Sequence, residues 1–348
     1  MTRSARGKIG ELARRLKRPA GFINYLAGKI VYRLGWIRAP FLPVMLDIEP
    51  NNTCNFRCPH CQVPYWSKPA SYLDAERFAR ILRQVPHLAG VKLQGMGEPL
   101  LNKHLAGLLK LGESRGLSMQ FISNGSVLSD ETAAALADLS AAEIAFSLDG
   151  ATKETFERIR AGGTFERVIE NIRRLVSARG PKRKPVLSGW TLATRENVGE
   201  LARIVRLAKE IGLDRLTIQT FLSDWGKKDM KARTDEHRVA QDSEALGAAV
   251  REAEAAAREI GFDLRISRSD YYTRRRKCVW PWRGAFIASN GDVVPCCVIA
   301  DSDTVKMGNV FERDFAEIWN APAYREFRRR IRTHDIPDYC RNCYLDAD

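Results

Sequence analysis

The chain has 348 residues, of which 45 % are hydrophobic, and a formal net charge of +14. That length suits two domains, or one large domain with an appendage, and the apolar content is ordinary for a globular core. Eight cysteines in a chain this long exclude a small secreted disulfide scaffold, and their clustering favours metal binding over disulfides.

The charge is unevenly placed. Residues 1–38 hold ten Lys or Arg against one acid, Glu11, and supply +9 of the +14. The remainder is only mildly basic, which argues against a nucleic-acid footprint over the main body. Residues 1–18 read as a basic helix or arm, interrupted by Pro19. They lack the uninterrupted apolar stretch and cleavage site of a secretory signal. No apolar run reaches eighteen residues, so no membrane span is expected. A reducing cytoplasm suits the free thiols. Between 21 and 37, Phe22, Leu26, Ile30, Leu34 and Ile37 recur at helical spacing, punctuated by Lys29, Arg33 and Arg38. Such a helix either packs on the body with a solvated basic face or lies on an anionic membrane surface. Gly28 and Gly35 weaken a free-standing helix, which favours packing.

After Pro40 and Pro43 the pattern becomes regular. Strands are predicted at 44–48, 91–94, 119–123, 143–148, 185–192 and 215–221. Helices are predicted at 74–85, 103–114, 130–139, 153–160, 165–178 and 198–211. Such alternation implies parallel strands with crossover helices, an α/β fold. Six units suit an open partial (β/α)6 barrel better than a closed eight-stranded one. Residues 224–243 are charged and patternless, a predicted loop. A helix at 243–260 and a short strand at 262–266 follow. The expected division is a basic extension at 1–40, a barrel at 41–260 and a small cysteine-rich domain at 261–348.

Ligands of parallel barrels bind at the C-terminal ends of the strands. There, after the first strand, Cys54, Cys58 and Cys61 stand at CxxxCxxC spacing. Three thiolates hold three irons of a [4Fe–4S] cluster and leave the fourth iron open to a small molecule. A zinc site is the alternative, but His60 adjoins Cys61 rather than standing at ligand spacing. After the second strand comes Gly95-Met96-Gly97-Glu98-Pro99. Its glycines allow close backbone approach to a ligand, and Glu98 offers a carboxylate to an ammonium group.

The cysteine loop resembles the signature of the radical S-adenosylmethionine (radical SAM) enzymes. In that family the open iron is chelated by the amino and carboxylate groups of SAM, and an aromatic residue usually precedes the third cysteine, where His60 stands. The family uses a six-stranded partial barrel of the kind counted above. The stretch ending in Gly97 and Glu98 resembles the family's GGEP motif, which binds the SAM amino group, with Met96 departing from the pattern. Ser123-Asn124-Gly125 and Ser147-Leu148-Asp149-Gly150 resemble segments at the SAM-facing rim. Ser147 is then a ribose contact. Asn124 and Asp149 serve either the ligand or turns, and Thr191 is a further candidate.

The remaining cysteines are Cys278, Cys296, Cys297, Cys340 and Cys343. Asn290-Gly291 predicts a two-residue hairpin turn between 285–288 and 292–294 that brings Cys278 towards Cys296. Gly308-Asn309 and a helical stretch at 315–332 lead to the C-terminal C-x-x-C pair. In order, these elements resemble the SPASM/twitch extension of radical SAM enzymes. With no cysteine between 297 and 340, the shorter twitch-like form is implied. It would hold one auxiliary [4Fe–4S] cluster on Cys278, Cys296, Cys340 and Cys343. A four-thiolate zinc site is the alternative. Cys297 is left over: it exchanges roles with Cys296, fills the core, or donates a hydrogen atom to a substrate radical.

The resemblance implies SAM and two [4Fe–4S] clusters as cofactors, and reductive cleavage of SAM to a 5′-deoxyadenosyl radical that takes a hydrogen atom from substrate. An auxiliary cluster allows net oxidation, and a hydrogen-donating thiol allows epimerisation. A carbohydrate- or aminocyclitol-like or carrier-linked small molecule is the expected substrate, because a dedicated peptide-binding domain needs more room than the first forty residues provide. A peptide-modifying maturase is the alternative within the family. Outside it stand a non-catalytic iron–sulfur carrier or scaffold and a zinc protein that binds nucleic acid. The Gly97-Glu98 stretch counts against the carrier, which needs no ammonium-binding carboxylate. Expected partners are a one-electron reductant such as flavodoxin or ferredoxin and, through residues 1–38, a membrane surface; no specific nucleic acid is expected.

Overall fold

A computed structural model describes residues 19–241, 243–267 and 272–344. The basic segment 1–18 lies outside them. Ten strands form one sheet in the order β10-β9-β8-β1-β2-β3-β4-β5-β6-β7. Strands β1 (Met45–Ile48), β2 (Gly90–Leu93), β3 (Ser118–Ser123), β4 (Ala142–Ser147), β5 (Val186–Leu192) and β6 (Arg215–Gln219) are the six predicted ones. All pair in parallel, with crossover helices between them. Leu46, Ile48, Val91, Leu93, Ile144 and Ile218 are wholly buried and form much of the core. Burying such a side chain is worth roughly 1.5–3 kcal/mol, so this layer anchors the barrel.

The sheet continues at both edges. Strand β7 (Asp263–Ser267) joins β6 in parallel, and β8 (Gly284–Ile287) joins β1 in parallel. The expected division near residue 260 therefore falls within a continuous sheet. Strand β9 (Asp292–Val294) returns antiparallel to β8 through the predicted Asn290-Gly291 turn, where Gly291 has φ +92°. A short β10 (Gly308–Asn309) completes this edge.

Two helical predictions are corrected. The charged stretch read as a loop contains a helix, Lys228–His237. It buries only Met230 and Thr234 and so shows no apolar period; a tertiary contact of His237 with Glu196 helps hold it. The single helix predicted at 315–332 is two, α11 (Phe315–Trp319) and α12 (Pro322–Thr333), with Pro322 opening the second.

The N-terminal helix α1 (Pro19–Leu34) packs against the C-terminal region. The Tyr32 hydroxyl donates to the Lys277 carbonyl at 2.7 Å, and its ring lies 5.7 Å from that of Trp282, in the short helix α10 (Trp280–Arg283). Fully buried Arg328 donates to the carbonyls of Pro281 (2.7 Å) and Ile37 (3.2 Å), with its guanidinium 4.5 Å from the Trp319 ring centre. The face that packs is not the one expected. Asn24 and Val31 are buried, whereas Leu26, Ile30 and Leu34 are exposed. Among the described residues no helix is long and apolar enough to cross a membrane.

Candidate active site

A cavity of about 410 Å³ opens at the C-terminal ends of the strands. Cys54, Cys58 and Cys61 line it, as do Gly97, Glu98, Asn124 and Ser147. With Cys297, which also lines it, the structure thus brings together eight of the site residues singled out in the sequence. Thr191 is not among them. Strand side chains alternate between faces: Trp190 and Leu192 face the cavity, while Thr191 is buried outside it and donates to the Leu148 carbonyl at 2.6 Å.

The two glycines of the Gly95–Pro99 stretch answer a steric need as well. A methyl at Gly97 would collide with the Asn51 carbonyl and stand 2.6 Å from that of Thr53. One at Gly95 would stand 2.6 Å from a Glu49 carboxylate oxygen. The glycines admit the chain that enters the cysteine loop, and both also line the cavity. Glu98 is buried and accepts hydrogen bonds from Ser123 Oγ (2.7 Å), Asn124 N (2.6 Å) and Leu100 N (3.0 Å). Burial raises its pKa, with these donors opposing the shift. A carboxylate has about four acceptor positions, so one remains for a ligand. Asn124 donates to Asn55 Oδ1 at 3.0 Å and lies 3.9 Å from Cys54 Sγ. It holds the cysteine loop against the end of β3, and Gly125 follows it with φ +73°. Asp149 is a tertiary anchor rather than a turn residue: buried, it accepts from Leu192 N at 2.6 Å and pairs with Arg160.

Arg160 was missed. It lines the cavity with a guanidinium nitrogen 3.9 Å from Cys58 Sγ. It follows the helix α5 (Lys153–Ile159) in no recognisable motif, and the paired Asp149 was the one available signal. His60 is buried beside this group, and burial, Arg160 and His237 depress its pKa to about 3.

All eight cysteines are free thiols. Burial pushes Cys54 up to about 11 and Cys61 to about 12, and raises Cys58 despite Arg160. Such thiols become thiolates when a bound metal supplies positive charge. Cys278 is likewise raised to about 12 and Cys296 to about 11, with Cys340 and Cys343 also raised by burial. The Cys340 and Cys343 thiols lie near enough to Cys278 and Cys296 to feel their charge. Cys297 belongs elsewhere. It lines the cavity and is hydrogen-bonded to Asp47, whose other partner is Gln94 at 3.1 Å. Among the described residues no three His, Cys, Asp or Glu side chains form a group able to hold one metal ion. A cubane asks for less convergence, because each thiolate binds its own iron. The donor sets fit two such clusters.

Lys68, Lys227 and Asp301 form a clasp at this end of the molecule. Both lysines pair with the Asp301 carboxylate, whose side chain is wholly buried. The clasp joins the chain beyond the cysteine loop, the segment after β6 and the turn after Cys297.

A parallel open barrel with a three-thiol loop at its mouth and a second thiol group behind it defines a class of iron–sulfur enzymes. The family model of the Radical SAM superfamily matches residues 48–219, and that of the SPASM iron–sulfur cluster-binding domain matches 278–344. Together they span more than two thirds of the chain, which belongs to the radical SAM superfamily and carries a C-terminal SPASM domain. These domains imply SAM and two [4Fe–4S] clusters. The chain is 27 % identical to a PqqA peptide cyclase of Gluconobacter oxydans, over 87 % of this chain and 83 % of that protein. It is 25 % identical to the tungsten-containing aldehyde ferredoxin oxidoreductase cofactor-modifying protein of Pyrococcus furiosus, over 86 % and 87 %. Streptococcus suis SuiB bound to S-adenosylmethionine shares the fold, with a TM-score of 0.67 at 19 % identity over 82 % of this chain and 68 % of that one.

Proposed function

We propose that this radical SAM enzyme modifies a peptide, at a side chain held in the aromatic part of the barrel cavity. The lining carries this reading. Beyond the cysteine loop and Glu98, the walls include Trp190, Leu192, Phe221, Leu222, Trp225 and Phe286. Among the described residues that line the cavity, the one carboxylate is Glu98, already engaged by three donors. A sugar or aminocyclitol presents a polar group at nearly every carbon. A site for it answers with hydrogen-bonding side chains, since buried polar groups left unpaired are costly. An apolar or aromatic peptide side chain suits these walls better. PqqA peptide cyclases from several bacteria among the relatives support the same reading. A dedicated peptide-binding domain is not a prerequisite for a peptide substrate, since the chain matches 83 % of the Gluconobacter oxydans cyclase's own length.

When bound, SAM and the first cluster supply a 5′-deoxyadenosyl radical that takes a hydrogen atom from the substrate. Cys54, Cys58 and Cys61 would hold that cluster, and Cys278, Cys296, Cys340 and Cys343 would hold the auxiliary one. Glu98 would receive the SAM ammonium, and Ser147 would meet the ribose. Gly97 and Asn124 fix the loop that carries the thiols. The aromatic walls keep water and stray hydrogen donors away from the reacting carbon. Cys297, which lines the cavity, would give its thiol hydrogen to the substrate radical, and the thiyl radical left behind would be reduced by one electron and a proton with the one-electron carrier as the donor. The electron enters from a one-electron carrier such as flavodoxin or ferredoxin in the cytoplasm.

The test is formation of 5′-deoxyadenosine by the reconstituted enzyme with a reductant. A pool of synthetic peptides covering every side chain is compared with a panel of amino sugars and aminocyclitols. Faster turnover with peptides is expected, together with a mass change on one of them or, where Cys297 returns the hydrogen, uptake of a solvent deuterium by one of them in heavy water. Acceleration by the sugars alone would replace this reading with the carbohydrate one.

A further inference from the structure

We propose that α1 docks the protein on the surface of an anionic lipid bilayer. Helix α1 has two apolar faces of different fate. One is sewn to the SPASM domain through Tyr32 and buries Val31. The other carries Ile23, Leu26, Ile30 and Leu34, spaced so that all four fall within one narrow arc of the helix. Ile23 is 61 % exposed, Ile30 56 % and Leu34 55 %. With Trp36 just beyond the helix, this short stretch holds five of the nine large hydrophobic side chains exposed among the described residues. A continuous apolar patch on an otherwise polar surface marks an interaction site.

The surrounding charge selects the occupant. Lys29, Arg33 and Arg38 are exposed around the stripe, and residues 1–18 add seven Lys or Arg against Glu11 alone. An apolar helix face rimmed by cations is what an interfacial helix presents to anionic headgroups, with Trp36 suited to the headgroup level. One apolar face alone binds a bilayer weakly and reversibly; a polybasic segment beside it supplies the second attraction that stable anchoring requires.

The position has a consequence for the enzyme. Helix α10, which α1 covers, leads directly into the N-terminal end of β8, so α1 sits at the opposite end of the strands from the cysteine loop. Docking through α1 leaves the SAM-binding mouth facing away from the lipid, free for a peptide and a soluble reductant.

The experiment is vesicle flotation of the full-length reconstituted chain. Vesicles of phosphatidylcholine are compared with vesicles containing about 30 % phosphatidylglycerol. At least about tenfold stronger association with the anionic vesicles is expected, weakening as salt rises from about 0.1 to about 0.5 M. The double variant I23S/I30S, changed only on the exposed face, is expected to bind roughly tenfold more weakly while its thermal unfolding stays unchanged. Three results would overturn the proposal. The first is no preference for anionic vesicles. The second is vesicle binding indifferent to I23S/I30S, which would assign it to the basic segment alone. The third is self-association abolished by I23S/I30S without any vesicle binding, which would make a second copy the occupant.

Discussion

Cys297 is hydrogen-bonded to the Asp47 carboxylate at the barrel cavity, while Cys296, its neighbour in the chain, sits with Cys278, Cys340 and Cys343. Two adjacent thiols thus face two different sites. Cys297→Ala is expected to retain about eight irons per chain and to retain SAM cleavage. Substrate conversion should fall roughly a hundredfold, the scale of losing one positioned hydrogen-transfer group. Cys296→Ala should lose about four irons. Iron and acid-labile sulfide after anaerobic reconstitution check both, and equal loss in the two variants would undo the division between them.

Gly97→Ala places a methyl against the carbonyl oxygens of Asn51 and Thr53, just before Cys54. Backbone cannot yield there without moving the cysteine loop. The variant is expected to fold but to hold only about four irons, those of the C-terminal site, and to cleave no SAM. Normal iron content with normal cleavage would show that the loop has slack.

Arg160 stands beside Cys58 and pairs with wholly buried Asp149. Removing a positive charge near a cluster disfavours its reduced, more negative state. Arg160→Gln is therefore expected to lower the first cluster's reduction potential by some tens of millivolts. It also strands the Asp149 carboxylate, at a cost of about 3 kcal/mol. A redox titration and a denaturant midpoint measure the two effects separately. Arg160→Lys should preserve most of the potential.

The Asp301 clasp should show its pH dependence at the extremes. Burial pushes the Asp301 carboxyl up, but hydrogen bonds from Lys227 and Lys68 outweigh it and hold its pKa below the usual carboxylate range. Its contribution is complete above the unfolded pKa, about 4, and is lost as pH falls through the folded value. Lys68 is raised: burial opposes this, and its bonds to Asp301 and Asp303 prevail. Its contribution holds below about pH 10 and is lost as pH rises through the folded value. Asp301→Asn is therefore expected to cost about 3 kcal/mol, constant from about pH 5 to pH 9 and shrinking below pH 4. Thermal unfolding of both proteins across that range checks it.

Much of this site was legible because its signals are local. Cysteine spacing, strand ends marked by Gly or Asn, and the Asn290-Gly291 turn all act within a few residues. What escaped was orientation. The period of α1 shows which side chains share a face, but not which face meets the body: packing through the Leu26, Ile30 and Leu34 face is the favoured expectation, and in the structure that face points outward. Thr191 failed by parity: one step along β5 exchanges the cavity for the helical layer. Arg160 reaches Cys58 from about a hundred residues away, and no short-range pattern records that. The pairing of β8 with β1 is equally non-local.

That pairing sets an order of assembly. Strand β1 lies between β2 and β8, and Met45 meets Gly284 about 240 residues later in the chain. At roughly 5–20 residues per second, tens of seconds separate the synthesis of the two strands. Throughout that interval β1 offers an unpaired edge, a template for aggregation, directly before the cysteine loop. A nascent chain that loads iron early would do so on an unfinished frame. The SPASM region is thus a structural partner of the barrel as well as a cluster holder. A chain cut after residue 260 is expected to aggregate on synthesis rather than persist as a smaller enzyme.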